Sequence, residues 1–331
     1  MADERFMITG ALGCIGAWTV RNLVREGVYV TVFDLASRPA RLQLLLSEKE
    51  LSRVKFVTGD ITDLKAFERA LDDNSITHLI HLAGLQVPFC RADPLLGARV
   101  NVVGTVNVFE SVRRRKRIDR VVYASSAAVF GAPENYTPGA IMQDNSAQMP
   151  QTLYGVYKQA NEGTARVYWL ENQVASIGIR PYVVYGVGRD QGITSTPTTA
   201  MLAAAANLPY HISYGGRAMF QYADDTARAF IQAARSDFRG AGTFNLGGPA
   251  PEMQEVVNAI VKAVPEAVDK ITYDDIQLPF PEEVDGSGLE AAIGSISHRT
   301  LAEGVAETIA MFRNLIGTGK LNAESYITER S

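Results

Sequence analysis

The sequence predicts an α/β protein built on a doubly wound parallel sheet, with a smaller C-terminal portion set against it. Three observations carry this. Short apolar, β-branched runs alternate with longer stretches of helical period through the first half, the order a parallel sheet covered on both faces requires. The first run leads into a turn containing Gly10, Gly13 and Gly16 that opens a helical stretch. Beyond about Gly186 the alternation gives way to proline-containing loops, which predicts a late portion bordering a ligand cleft.

Taken in order, strands are expected at Arg5–Thr9, Tyr29–Asp34, Lys55–Thr58, His78–Leu82, Arg120–Ser125 and Ala175–Val184, where apolar residues run nearly without interruption. Helices are expected between them at Gly13–Glu26, Leu64–Asp72, Ala98–Arg115 and Tyr154–Glu171. An Ala-rich helix at Thr198–Asn207, a helix entered through Asp224 and Asp225, and a closing helix near Leu301–Ile316 complete the chain. Residues 1–185 then form a ligand-binding sheet domain, residues 186–316 a mainly substrate-binding portion, and residues 317–331 a polar tail expected to fray.

Composition bounds the partners. The 331 residues are 47% hydrophobic and 21% charged, enough apolar chain for a full core and incompatible with general disorder. A net charge of -4 argues against nucleic acid or an anionic membrane as the main partner, since both demand a basic face, and leaves a small molecule. The run Arg113–Arg117 falls at a predicted helix C-terminus, where cations complement the helix dipole. Two cysteines and four histidines make neither a disulfide framework nor a zinc site of usual spacing, so no metal is expected. Glycines cut the first apolar segment, which excludes a secretory signal or membrane span there and makes the cytoplasm the expected compartment.

The turn Thr9-Gly10-Ala11-Leu12-Gly13-Cys14-Ile15-Gly16 lets the backbone approach a pyrophosphate, whose charge then meets a helix N-terminus. The second strand ends in Asp34, where a carboxylate accepts hydrogen bonds from ribose hydroxyls and repels a 2′-phosphate. That combination favours NAD over NADP, although Arg38 and Arg41 lie close by in the sequence. Asp60-Ile61, after the third strand, stands where an adenine contact or a simple turn is expected.

Tyr154 and Lys158 lie four apart on one helical face, about thirty residues after Ser125-Ser126 at a strand end. A phenol is a poor base at neutral pH, and a neighbouring ammonium brings its pKa toward use. Together with Asp60, His81-Leu82-Ala83-Gly84, Asn101-x-x-Gly104-Thr105, Ser125-Ser126-x-x-Val129-Phe130-Gly131, Arg180-Pro181 and Tyr185-Gly186-x-Gly188-Arg189, these residues resemble the extended short-chain dehydrogenases/reductases, the NAD-dependent epimerase/dehydratase family. The stretch His81–Leu85 looks most like that of the nucleotide-sugar 4-epimerases.

The resemblance implies a Rossmann-type sheet, one NAD per subunit, and hydride transfer at a carbinol carbon. It implies NAD contacts from Gly10, Gly13, Cys14, Ile15, Gly16, Asp34, Asp60, Ile61, Leu82, Ala83, Gly84, Asn101, Tyr154, Lys158 and Pro181. Ser126, Tyr154 and Lys158 take the catalytic roles, with Tyr154 as acid and base. A homodimer through the helices Ala98–Arg115 and Tyr154–Glu171 is implied as well.

Departures narrow the reaction. Ala127 and Ala128 stand where dehydratases carry Asp-Glu, and an alanine moves no proton. Val183 replaces an Asn that holds a diphosphate in nucleotide-sugar enzymes, and a second anchor is lost at Ala218–Tyr222, with Arg217 one residue away as a substitute. The expected substrate is therefore small, hydroxylated and carbohydrate-like or a hydroxy acid, touched by Gln86, Ser125, Ser126, Arg189, Thr194 and Ser195. The alternatives are a 4-epimerase that retains its cofactor and a dinucleotide-sensing regulatory protein.

Overall fold

The computed structural model describes residues 4–328. Its central sheet holds seven parallel strands: β1 (Arg5–Thr9), β2 (Tyr29–Asp34), β3 (Val54–Thr58), β4 (His78–His81), β5 (Arg120–Ala124), β6 (Ala175–Arg180) and, after β7 (Val183–Tyr185), β8 (Tyr210–Ile212) and β9 (Phe220–Tyr222), the late strand β10 (Ala241–Asn245). Their order is β10-β6-β5-β4-β1-β2-β3. With β2 on one side of β1 and β4 on the other, the strand order reverses at β1, the place where a crevice opens at the sheet's carboxyl edge.

Side chains alternate across the sheet and build two cores. Phe6 and Ile8 of β1 join a cluster with Trp18, Val20 and Phe230, while Met7 joins Phe33, Phe67, Phe109 and Tyr123 on the opposite face. Two faces each covered by helices account for strands that read as continuous apolar runs rather than alternating ones.

Three elements depart from expectation. The run Ala175–Val184 breaks in two, because Pro181 has no N–H for the ladder; β7 pairs with β9 in a separate two-stranded sheet. The expected helix Ala98–Arg115 is interrupted by a π-helical turn at Arg99–Val103, which rotates Asn101 into the interior before the helix resumes at Gly104–Arg113. The late portion also returns to the sheet: β10 lies in register on β6, and the helix Ala223–Arg235 packs against the helix Cys14–Arg25. Asn22 donates to Asp224 at 2.7 Å across that contact.

The tail needs correction. Instead of fraying from Thr318, the chain buries Leu321 and Ala323 and forms a helix at Ala323–Thr328, whose Tyr326 hydroxyl donates to Asp190 at 3.1 Å. Glu329–Ser331 of that expected tail, and Met1–Asp3 of the N-terminal segment, lie outside the described residues. Among the described residues no helix is long and apolar enough to cross a membrane. Arg113, Arg114, Arg115 and Arg117 pair with Glu110, Glu68 and Asp72.

Candidate active site

A cavity of about 590 Å³ runs along the crevice, from the glycine turn to the start of the helix Leu153–Asn172. At its first end Gly10 adopts φ +65°, and a Cβ there would lie 2.5 Å from the Ala83 nitrogen, so only glycine lets the loops after β1 and β4 touch. The helix Cys14–Arg25 starts at Gly13 with no side-chain cap, which leaves the amides of its first turn for an anion. Gly13, Cys14, Ile15 and Gly16 all border the cavity. The Asp34 carboxylate accepts from the Leu12 N–H at 3.0 Å and the Ala36 N–H at 3.1 Å, and still borders the cavity. This donor set fits a dinucleotide: free helix amides for the pyrophosphate and a carboxylate for the ribose.

Asp60, Ile61, Leu82, Ala83, Gly84 and Pro181 line the same wall. Asp60 closes its own turn by accepting from Thr62 N–H at 2.8 Å. Asn101 is a correction: it is buried behind the wall, where its amide accepts from Leu85 N–H at 2.8 Å and donates to Leu85 C=O at 3.0 Å. It therefore braces the Gly84-Leu85 turn rather than meeting a ligand. His81 also serves the frame, bridging the Thr9 and Thr105 hydroxyls at 2.7 and 3.1 Å, and burial holds its pKa down to about 3, so the ring is neutral.

At the other end Tyr154, Lys158 and Ser126 converge. The Thr152 hydroxyl caps the helix, accepting from Gly155 N–H at 3.1 Å. Gly155 presses so closely on Ala128 C=O that a Cβ would overlap the carbonyl oxygen, which sets Tyr154 beside the Ser126–Ala128 segment. Ser126 accepts from Ala128 N–H at 3.1 Å and lies beside the Tyr154 phenol. Burial pushes that phenol's pKa up, while Ser126 and the Arg189 charge pull it down. Lys158 is buried, lies 5.6 Å from the Tyr154 ring centroid and donates to Ala124 C=O at 2.7 Å; burial lowers its pKa to about 8 against the opposing pull of Cys90 and Glu162. Cys14, in contrast, has its thiol pushed up to about 11 by burial.

Sequence reasoning missed Glu162. It accepts from the Ser125 hydroxyl at 2.5 Å and from Arg180 at 2.8 and 2.7 Å, with Gln148 on its second oxygen. Ser125 borders the cavity, yet its hydroxyl is committed to this buried pair. The spacing Lys158-x-x-x-Glu162 puts the carboxylate on the same face of the helix as Tyr154 and Lys158, which was the signal available.

On the substrate side, Gln86, Arg189 and Thr194 line the cavity, and Arg189 donates to the Thr194 hydroxyl at 2.9 Å. Ser195 is a second correction: it is buried, does not line the cavity, and donates to Gly192 C=O at 2.8 Å to close the loop. Arg41 is tied up with Asp190 at 2.6 Å and with Leu12 C=O at 2.8 Å, which takes it from the cations that would welcome a 2′-phosphate. Arg217 pairs with Glu283 at 2.6 Å and lies outside the cavity lining, so it does not replace a lost diphosphate anchor; Val183 is fully buried.

The model of the NAD dependent epimerase/dehydratase family matches residues 6–247. The chain is 30% identical over 320 residues to a UDP-glucose 4-epimerase of Mycolicibacterium smegmatis, covering 94% of this chain and 99% of that one. Among solved structures, L-threonine dehydrogenase from Cupriavidus necator superposes with a TM-score of 0.80 at 23% identity, covering 92% of this chain and 99% of that one. UDP-glucose 4-epimerase of Thermus thermophilus, solved with NAD, gives a TM-score of 0.77 at 24% identity over 93% of this chain and 99% of that one. At these identities the structures speak for a shared fold, while the matched motif set and the sequence relative go further: the chain belongs to the NAD-dependent epimerase/dehydratase family of extended short-chain dehydrogenases/reductases, with NAD as its cofactor.

Proposed function

We propose that the protein is an NAD-dependent dehydrogenase of a small hydroxylated substrate, carbohydrate-like or a hydroxy acid. The observation that carries this is the convergence of Tyr154, Ser126 and Lys158 at one end of a cavity whose other end offers uncapped helix amides and Asp34. When bound, NAD supplies a nicotinamide ring that accepts a hydride from the carbinol carbon. Tyr154 removes the hydroxyl proton, and Ser126 orients the oxygen that loses it. Lys158 holds the ribose beside the nicotinamide, while Ser126 and the Arg189 charge draw the phenol's pKa downward. Ala127 and Ala128 border the same space and carry no group that transfers a proton, which speaks against elimination.

Val183 and Ala218–Tyr222, at the two positions where diphosphate anchors are expected, support a small substrate over a nucleotide sugar, since charge-assisted hydrogen bonds are the strong contacts such a ligand needs. The second reading, a 4-epimerase that returns the hydride to the opposite face, draws on the M. smegmatis relative. Purified protein with excess NAD and a panel of free sugars, sugar acids and hydroxy acids separates the two. Net NADH accumulation with one class establishes a dehydrogenase; silence with NAD retained through purification and UDP-sugars interconverted establishes the epimerase.

The working protein is a cytoplasmic homodimer in this reading. Leu153, Val156, Val167 and Leu170 on the helix Leu153–Asn172, with Val103 and Val106, form an exposed apolar face suited to a second copy. Residues 1–185 serve the cofactor and catalysis, and residues 186–316 mainly the substrate.

A further inference from the structure

We infer that Arg189 is the anion-recognition residue of the substrate site, and that the substrate carries a carboxylate near the carbinol carbon that is oxidised. The inference rests on the hydride-transfer reading above and narrows its substrate class.

Arg189 lines the cavity and is partly buried. Of the two arginines that line the cavity, Arg41 is neutralised by Asp190, while Arg180 and Arg217, outside the lining, pair with Glu162 and Glu283. No carboxylate of the described residues pairs with Arg189, whose one side-chain hydrogen bond among them runs from Nη2 to the neutral Thr194 hydroxyl. Its Nε–H is buried with no acceptor among the described residues. A guanidinium drawn out of water with an open donor and no counter-ion is costly, and an anion from outside removes that cost.

The surroundings indicate which anion. Gly192, at φ +92°, sits between two polar side chains: a Cβ there would overlap Gln86 Oε1 and lie 3.3 Å from Arg189 Nη2. A guanidinium fork with an amide and a hydroxyl beside it matches one planar monoanion that also carries hydroxyl groups. The pyrophosphate of the cofactor already has the uncapped amides of the helix Cys14–Arg25. Arg189 lines the same cavity as Cys14 and Tyr154, and its charge reaches both. A carboxylate held there lies within electrostatic reach of the Tyr154 phenol, on the side of the substrate where the carbinol carbon is oxidised.

The test compares hydroxy carboxylates of three to six carbons, including glycerate, gluconate and L-threonine, with their primary amides and with neutral polyols, in native protein and in Arg189→Met. Native protein should oxidise one carboxylate with kcat/KM about a hundredfold above its amide, and Arg189→Met should erase most of that ratio by raising KM for the carboxylate about a hundredfold. NAD affinity, measured by calorimetry without substrate, should change less than threefold. Equal use of carboxylate and amide by native protein overturns the inference without needing any variant. A tenfold loss of NAD affinity in Arg189→Met with the carboxylate-to-amide ratio intact also overturns it and reassigns Arg189 to the cofactor's diphosphate. Oxidation of neutral polyols alone removes the carboxylate but leaves hydride transfer standing; silence toward all three classes with UDP-sugars interconverted removes the parent reading and this inference with it.

Discussion

Removing Glu162 should destabilise the protein severely, and more through the partner it abandons than through its own lost contacts. Its side chain is 8% exposed and that of Arg180 2% exposed, with two charge-assisted hydrogen bonds at 2.8 and 2.7 Å. Glu162→Ala leaves Arg180 buried with, among the described residues, only Asp144 C=O and Asn245 Oδ1 as acceptors, at 2.9 and 3.2 Å. Stranding a buried charge in this way costs about 3–5 kcal/mol, a large share of the ~5–15 kcal/mol that holds a folded protein together. The same substitution frees Ser125 and Gln148, which adds to the loss. Exchanging both members, Glu162→Leu with Arg180→Met, removes the stranded charge, so the double variant should be at least about 2 kcal/mol more stable than the sum of the single losses predicts. Urea unfolding at neutral pH, with midpoints and slopes for all four proteins, reads this directly. Single losses under about 1 kcal/mol that simply add would refute the reasoning.

Other consequences are open to measurement. Asp34→Ala should weaken NAD about ten- to a hundredfold and narrow the preference over NADP, as titration with each cofactor would show; unchanged affinities would remove the ribose assignment. Burial lowers the pKa of Lys158 to about 8 from 10.5, so its ionisation opposes folding below pH 8, and between about pH 8 and 10.5 the unfolded chain binds the extra proton and stability rises. Lys158→Met removes that cost, so its urea midpoint relative to the native protein should be higher at pH 7 than at pH 10; a difference independent of pH would contradict the assignment. Because burial raises the Cys14 thiol to about 11 from 9.0, iodoacetamide should react with it about a hundredfold more slowly than with a free cysteine at neutral pH, and more slowly still with NAD bound. Fast labelling, traced to Cys14 by mass spectrometry, would show the thiol to be accessible and ionised.

What could be read from the chain alone was what is local. The strands from Arg5 to Ala124, the glycine turn and the pair Tyr154 and Lys158 each announce themselves within a few residues, by apolar runs or helical spacing. The late strand Ala241–Asn245 did not, because Ala-Gly-Thr-Phe-Asn has little apolar pattern of its own and is held by its register on Ala175–Arg180. Asn101 and Ser195 were the right residue types pointed the wrong way. A π-helical turn aims the first at Leu85, and the carbonyl of Gly192 captures the second, both decided by backbone geometry that residue identity does not carry. Glu162 and Arg180 are eighteen residues apart and meet only once the helix lies across the sheet. The short tail helix is likewise secured by contacts made at a distance, through Tyr326 and Asp190.

The most direct test of the central claim is the Tyr154→Phe protein, assayed for NADH formation with the substrate the panel identifies. The phenol lies beside Ser126 and Lys158, where the proposed reaction needs a group to take the hydroxyl proton. The account predicts a fall in kcat of about 10²–10⁴-fold with NAD affinity unchanged within about twofold, since the substitution removes a proton acceptor and leaves the helix amides and Asp34 untouched. A kcat within tenfold of the native value, with NAD bound as before, would contradict it.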